Sequence, residues 1–255
     1  MLACSSRAPM SQQTCLPMSH RIQELAIPGG WTERSVVLGT QPFRLLVPAA
    51  PNAFLDELDA VDERSLPKMR SDPNWANLWS AARPLAESVL AARWPADARV
   101  LELGCGIGLC GLAARAAGCR VTFSDYVPEA VALALENARR NGFDDRVEGL
   151  ILDWRVPLGQ RFEWIVASDV LYDNSLHEPL AEALDAMLAR DGEVWIGDPG
   201  RSAAADFVNV ILARGFDIGI FDAASRPRPA PQQAGFQQFR LTRKLATELA
   251  RERAT

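Results

Sequence analysis

The chain has 255 residues, 27 Lys+Arg against 32 Asp+Glu, a formal charge of −5 and 48% hydrophobic residues, which excludes collagen-like, disordered and disulfide-scaffold classes. Residues 71–239 carry 15 basic and 23 acidic residues, so the body lacks the basic footprint of a nucleic-acid binder and no nucleic-acid partner is expected. No apolar run reaches the roughly 20 residues of a membrane span, so no membrane partner is expected, and five cysteines without a CxxC pair fit a reducing, cytoplasmic location. Only His20 and His177 are available beside them, so no metal site is expected.

Residues 1–17 read as disordered, and Met18 is a plausible alternative start. Residues 18–70 form an N-terminal extension. Within it, 35–38 and 43–47 are β-prone runs around the turn composition Gly39-Thr40-Gln41-Pro42, which predicts a hairpin, and an acidic linker or short helix follows over 52–70. Asp72-Pro73 opens a helix carrying Trp75, Leu78, Trp79, Leu85, Val89 and Leu90, which Trp94-Pro95 ends.

From residue 98 strands alternate with helices. The strands are expected at 99–103, 120–124, 146–152, 162–167, 193–197, 216–221 and 236–242, with helices near 107–118, 128–141, 175–190 and 202–214. This order predicts an α/β fold: a Rossmann-like, doubly wound sheet of seven strands, mostly parallel, filling a domain over 71–255. Only the Pro-rich linker 225–235 separates the last two strands, so they are expected to pair as an antiparallel hairpin at the sheet edge.

The strand at 99–103 runs directly into Gly104-Cys105-Gly106-Ile107-Gly108 and then a helix, a pattern that exposes helix N–H groups to a ligand. A structural tight turn would look similar. The dinucleotide spacing fails, since Leu109 stands where the third glycine belongs, and no Gly-Lys-Ser/Thr follows. Glu102 would repel a pyrophosphate but suits a ligand bearing an ammonium group, which favours S-adenosylmethionine over NAD. Asp125 ends the next strand, where a carboxylate reaches both ribose hydroxyls, and Asp153 with Trp154 ends the third, offering an acceptor and a flat ring to a base. Any one strand-end acid could equally be a loop cap.

Four stretches resemble the class I, seven-β-strand methyltransferases and most closely the methyltransferase-16 family of protein-lysine methyltransferases: 78–82, 102–112, Leu152-Asp153-Trp154 and Ala167-Ser168-Asp169-Val170-Leu171-Tyr172. The acid-x-x-Tyr of the last is the discriminating motif. The resemblance implies that Trp79 lies beside the cofactor's methionine end, that Asp125 binds ribose, that Asp153 and Trp154 hold adenine, and that Ala167 contributes a backbone contact. Asp169 is expected to orient an acceptor amine and Tyr172 to desolvate it, with Ser168 beside them. The alternative for Asp169 is a cap on the helix beginning near Ser175.

Arg201 could bind an acidic substrate segment, although Asp198-Pro199-Gly200 is ordinary turn chemistry. Trp75 is expected to pack under its helix, and the basic residues of the 225–235 linker and the tail are expected to be solvated. The function expected is N-methylation of a lysine on a protein partner. The rivals are methylation of a small, nicotinamide-like amine and a catalytically silent module that keeps the cofactor pocket.

Overall fold

The strand-helix alternation closes into one mixed sheet in the computed structural model, which describes Cys15, Leu16, Ile22, Ile27, residues 29–51 and residues 73–244. The strands are β1 (Cys15–Leu16), β2 (Trp31–Leu38), β3 (Gln41–Pro48), β4 (Arg99–Leu103), β5 (Arg120–Asp125), β6 (Val147–Ile151), β7 (Phe162–Ser168), β8 (Leu188–Asp198), β9 (Phe216–Asp222), β10 (Pro227–Arg228) and β11 (Gln237–Arg243). The helices are α1 (Ala82–Ala91), α2 (Leu109–Ala116), α3 (Pro128–Arg140), α4 (His177–Met187) and α5 (Ala203–Ala213).

The sheet order is β1-β6-β5-β4-β7-β8-β11-β9-β10, with β6, β5, β4, β7 and β8 parallel. All seven expected strands are present, and two-residue strands extend each edge. β11 runs antiparallel to both β8 and β9, so the last two strands pair as an antiparallel hairpin at this edge of the sheet, with β11 as the inner strand and only the two-residue β10 beyond β9. Phe239 and Leu241 of β11 are fully buried, and an interior slot covers them where an edge would not.

Alternating side chains build two cores. Val100, Val121, Phe123, Val166 and Trp195 face α1, α2 and α3, while Leu101, Leu103, Ile165, Ala167, Val194 and Ile196 face α4 and α5. The order reverses beside β4, whose neighbours β5 and β7 feed helices onto opposite faces. This is the switch point where such sheets open a crevice at their strand C-termini.

Three local expectations change. The helix expected from residue 72 is broken into a 3-10 turn at Pro73–Ala76 and α1. Pro84 explains the break, because its ring would clash with the Ser80 carbonyl one turn earlier and it has no N–H to bond there. α4 stops at Met187 because the fully buried Leu188 pairs with Phe162 and enters β8, which starts earlier than expected. Cys15 and Leu16, expected to be unstructured, pair antiparallel with Leu150 and Gly149. The remainder of 1–17, the 52–70 linker and the tail beyond Lys244 lie outside the described residues. No described helix is long and apolar enough to cross a membrane.

The β2–β3 hairpin forms, longer than the sequence indicates, and adds Val36, Leu38, Phe43 and Leu45 to the α1–α3 core. Two asparagines one turn apart, Asn137 on α3 and Asn141 at its C-cap, hold it. Leu46 N–H donates to Asn137 Oδ1 at 2.6 Å and Asn137 Nδ2 returns a bond to Leu46 O at 3.2 Å. Asn141 does the same with Arg44, at 2.9 and 2.8 Å. The residues alternate along β3, so the helix supplies the edge with the bonds a further strand would make. Asn137 Nδ2 also donates to Ile107 O at 2.9 Å, which ties the hairpin to the glycine turn.

Asn137 is fully buried, so Asn137→Ala leaves backbone groups on both sides without partners, whereas Asn141→Ala exposes its own to water. The expected loss of unfolding free energy is about 2–4 kcal/mol for Asn137→Ala and about 1 kcal/mol for Asn141→Ala. Urea denaturation measures both, and equal losses would contradict the bridging role of Asn137.

Candidate active site

Val100, Leu101 and Leu103 bury β4 on both faces and carry Glu102 inside with them, where it is 2% exposed. Its carboxylate meets the start of α2, accepting from Cys110 N–H at 3.2 Å and Gly111 N–H at 2.9 Å. Gly108, at the N-cap position, has no side chain to do this, so a residue on the preceding strand caps the helix. Burial is the larger effect and pushes the Glu102 carboxyl up to about 8, with the charge of Asp125 adding to it and the two N–H bonds opposing it.

The glycines differ in what they permit. At Gly111 a Cβ would stand 2.6 Å from Glu102 Oε2 and 2.4 Å from the Phe123 ring, so only glycine admits the carboxylate. Gly106 has φ +48° and its Cβ would stand 2.9 Å from the Trp75 carbonyl. Gly108 faces Ala134 of α3, where a Cβ would approach to 2.8 Å; it serves helix packing and does not line the cleft.

Asp125 closes the turn from the other side. Its Oδ2 accepts from Gly106 N–H at 3.1 Å and its Oδ1 from Val127 N–H at 3.0 Å. Glycine turn and β5 end are thereby one unit, and α3 starts from it.

These groups floor a cleft of about 760 Å³, counting space open to solvent, at the C-terminal ends of β4 and β7. Of the residues expected to bind cofactor or substrate, Trp79, Glu102, Gly104, Gly106, Asp125, Trp154, Ser168, Asp169 and Tyr172 line it. Trp79 stands at the rim, 39% exposed, and its indole N–H donates to Asn74 O at 2.7 Å. Tyr172 is 48% exposed on the loop after β7. Gly104 presents its backbone between Val170 and Trp154.

Asp153 is not brought to the cleft. Its carboxylate faces Arg155, which donates from Nη2 at 2.6 Å and from Nε at 2.9 Å, and this pairing holds the carboxyl below the ordinary range. Ala167 is fully buried within β7 and does not line the cleft. Trp75, expected only to pack, does both: it is half-buried against the α1–α3 core and lines the cleft, because the break before α1 turns its carbonyl over Gly106. Tyr126 and Leu152 also line it, and their signal was position alone, one residue from the strand-end acids.

Asp169 is 3% exposed at its side chain, with φ +60°. Its Oδ2 accepts from Ala81 N–H at 3.0 Å and its Oδ1 from Arg201 Nη2 at 2.9 Å. It does not cap the helix near Ser175; Asp173 does, accepting from Ser175 N–H at 2.8 Å. Arg201 is bound to Asp169 and Asp198, not presented to a substrate. Burial keeps the Cys105 and Cys110 thiols far above their usual range, so neither is a thiolate nucleophile.

The arrangement fits a cationic nucleoside better than a phosphate ligand: the buried acids Asp125 and Asp169 line the cleft, glycine backbone lies open beneath them and aromatic rings flank the mouth.

Residues 76–212 match the methyltransferase-16 family model, described as lysine methyltransferase. The chain is 30% identical over 144 residues to the electron transfer flavoprotein beta subunit lysine methyltransferase of Danio rerio, covering 53% of each chain. It is 31% identical over 134 residues to a protein N-terminal and lysine N-methyltransferase of Cryptococcus neoformans, covering 46% of this chain and 45% of that one. The chain therefore spans about half the length of the curated relatives it matches. Its fold is similar to that of a TehB-like SAM-dependent methyltransferase from Corynebacterium glutamicum, with TM-score 0.52, 19% identity, and 77% of this chain and 100% of that chain covered.

Glu102 has a definite sign for pH. Because its carboxyl is raised from 4.5 to about 8 in the folded protein, its favourable contribution is complete below 4.5 and is lost as pH climbs through about 8. Relative to Glu102→Gln, the wild type should lose about 1.4 kcal/mol of stability per pH unit across that window. Urea denaturation of both proteins from pH 5 to 9 checks this, and parallel curves would show that Glu102 titrates normally.

Proposed function

We propose, from the premise that this chain belongs to the lysine methyltransferase family, that it transfers a methyl group from S-adenosylmethionine to a lysine side chain of a protein substrate. The observation that carries this reading is the switch-point cleft, which the glycine turn, Asp125, Asp169 and Tyr172 line together.

In this reading the backbone of Gly104 and Gly106 admits the cofactor, Asp125 accepts from the ribose hydroxyls and the Trp154 ring lies against adenine. Asp125 Oδ2 and Oδ1 accept from Gly106 and Val127 N–H, which fixes the carboxylate beside the glycine turn. Trp79 closes the methionine end. S-adenosylmethionine supplies a sulfonium methyl whose carbon takes the amine lone pair while the carbon–sulfur bond breaks and its electron pair leaves with sulfur.

The chain's own task is alignment. Asp169 accepts from the acceptor amine and orients its lone pair, and Tyr172 and Trp79 pack along the alkyl stem and exclude water. Desolvation favours the neutral amine that the reaction needs. The amine's proton leaves to solvent through the open mouth. The names of the relatives, which act on lysine and on protein N-termini, support an aliphatic amine on a protein.

Incubation of the purified protein with methyl-labelled S-adenosylmethionine and host lysate tests the reading. Label should appear in protein and hydrolyse to methyl-lysine; label confined to small molecules would assign a small-amine acceptor, and cofactor binding without transfer would assign a silent module. Asp169→Asn should lower turnover by about 100-fold with cofactor affinity retained, and full activity in that variant would remove Asp169 from the reaction.

A further inference from the structure

Two acids that are 29 residues apart in sequence, Asp169 after β7 and Asp198 at the end of β8, share one arginine. Arg201 donates from Nη1 to Asp198 Oδ2 at 3.3 Å and from Nη2 to Asp169 Oδ1 at 2.9 Å. The two carboxylates are used differently. Asp198 is completely buried, and its Oδ1 accepts from Gly200 N–H at 2.7 Å, Arg201 N–H at 2.8 Å and Gln237 Nε2 at 3.3 Å. Three of these four donors converge on Oδ1, and Asp198 lies fully buried outside the cleft lining, so it is not offered to a ligand. Asp169 accepts from Ala81 N–H and Arg201, keeps capacity for a further donor, and lines the cleft.

We infer that Arg201 is a positioning residue for methyl transfer: anchored on Asp198, it holds Asp169 as a charged acceptor aimed into the cleft. This rests on the role proposed above for Asp169. Asp198 is the fixed end of the assembly and Asp169 the working end. The turn Asp198-Pro199-Gly200 is thus part of the site, because it returns Arg201 to the carboxylate that opens it.

The surroundings show why the arginine is needed. Burial drives the Asp169 carboxyl above the ordinary range, and the charge and hydrogen bond of Arg201 oppose it, followed by Ala81 N–H. Among the described residues, the other ionisable groups around the carboxylate give it no cation: Asp198 at the end of β8, Cys110 on α2, Glu102 and Asp125 at the cleft floor, and Tyr172 on its own loop. The N-cap of α1 contributes the backbone N–H of Ala81. A neutral Asp169 would be a poor acceptor for an amine, and an arginine fork can bridge two carboxylates where an ammonium offers a single point charge.

The test combines carbon-13 NMR titration of the Asp169 carboxyl with pH–rate profiles for the wild type, Arg201→Met and Arg201→Lys. In Arg201→Met the Asp169 midpoint should rise by about 1–3 pH units, and the acid limb of kcat should move with it. Cofactor KM should stay within roughly twofold, because the loss falls on the acceptor step. Arg201→Lys, which keeps the charge, should show a smaller rise and serves where the methionine variant fails to fold. An unmoved midpoint in the variants, or a loss of activity equal at every pH, overturns the inference. If the wild type transfers no methyl group to protein, the functional reading fails, while the NMR titration still decides whether Arg201 controls Asp169.

Discussion

The burial of one carboxylate against the start of one helix sets the geometry of this protein's cleft. Glu102 enters the core because the residues around it on β4 are apolar, and inside it finds the two N–H groups at the head of α2. That bond places α2 directly over the strand it follows. The chain between them must then reverse in a few residues, and Gly104, Gly106 and Gly108 all adopt positive φ to do so. Gly111 completes the constraint from the helix side, since any side chain there would occupy the space of the carboxylate. A tight turn with open backbone at the crevice of the sheet is the outcome of packing as much as of ligand binding.

The glycine turn and the Asp169 carboxylate, both in the cleft lining, are held by different physics. At the glycine turn the partners are mostly backbone groups: Asp125 on Gly106 and Val127, and Asn137 on Ile107. Asn137 also binds β3, so the N-terminal hairpin buttresses the turn from behind. Around Asp169 the partners are charged side chains, with Arg201 set between Asp169 and Asp198. Backbone contacts give a shape that tolerates variation in the side chains around it. An ion-pair network in a buried setting instead depends on every member, because removing the cation leaves carboxylates without compensation.

Much of the fold was legible in the sequence, and the failures share a cause. Strands at 99–103, 120–124 and 162–167 stood out because their apolar runs are short and bounded by turn residues, and each lies within a residue of its place in the structure. The helix expected from residue 72 failed where Trp75, Leu78 and Trp79 carry a helical spacing that Pro84 does not allow to continue upstream. Asp153 was expected in the cleft on its position at a strand end, but Arg155 two residues later captures it. Arg201 was invisible as a partner of Asp169, since the two lie 32 residues apart and meet only when β7 and β8 pair.

The sequence by itself determined the alternation of elements, the position of the glycine turn, and the identity of the acids at the C-terminal ends of β4, β5, β6 and β7, because each is a local consequence of periodicity, turn chemistry and burial. The tertiary structure alone decided which of those acids face the cleft and in what state. Whether a carboxylate is a helix cap, a surface ion pair or an acceptor depends on the groups brought to it from elsewhere: α2 for Glu102, Arg155 for Asp153, and α1 with the β8 turn for Asp169. Such partners come together through sheet order and helix packing, which hydrophobic burial over the whole chain selects and no short stretch of residues encodes.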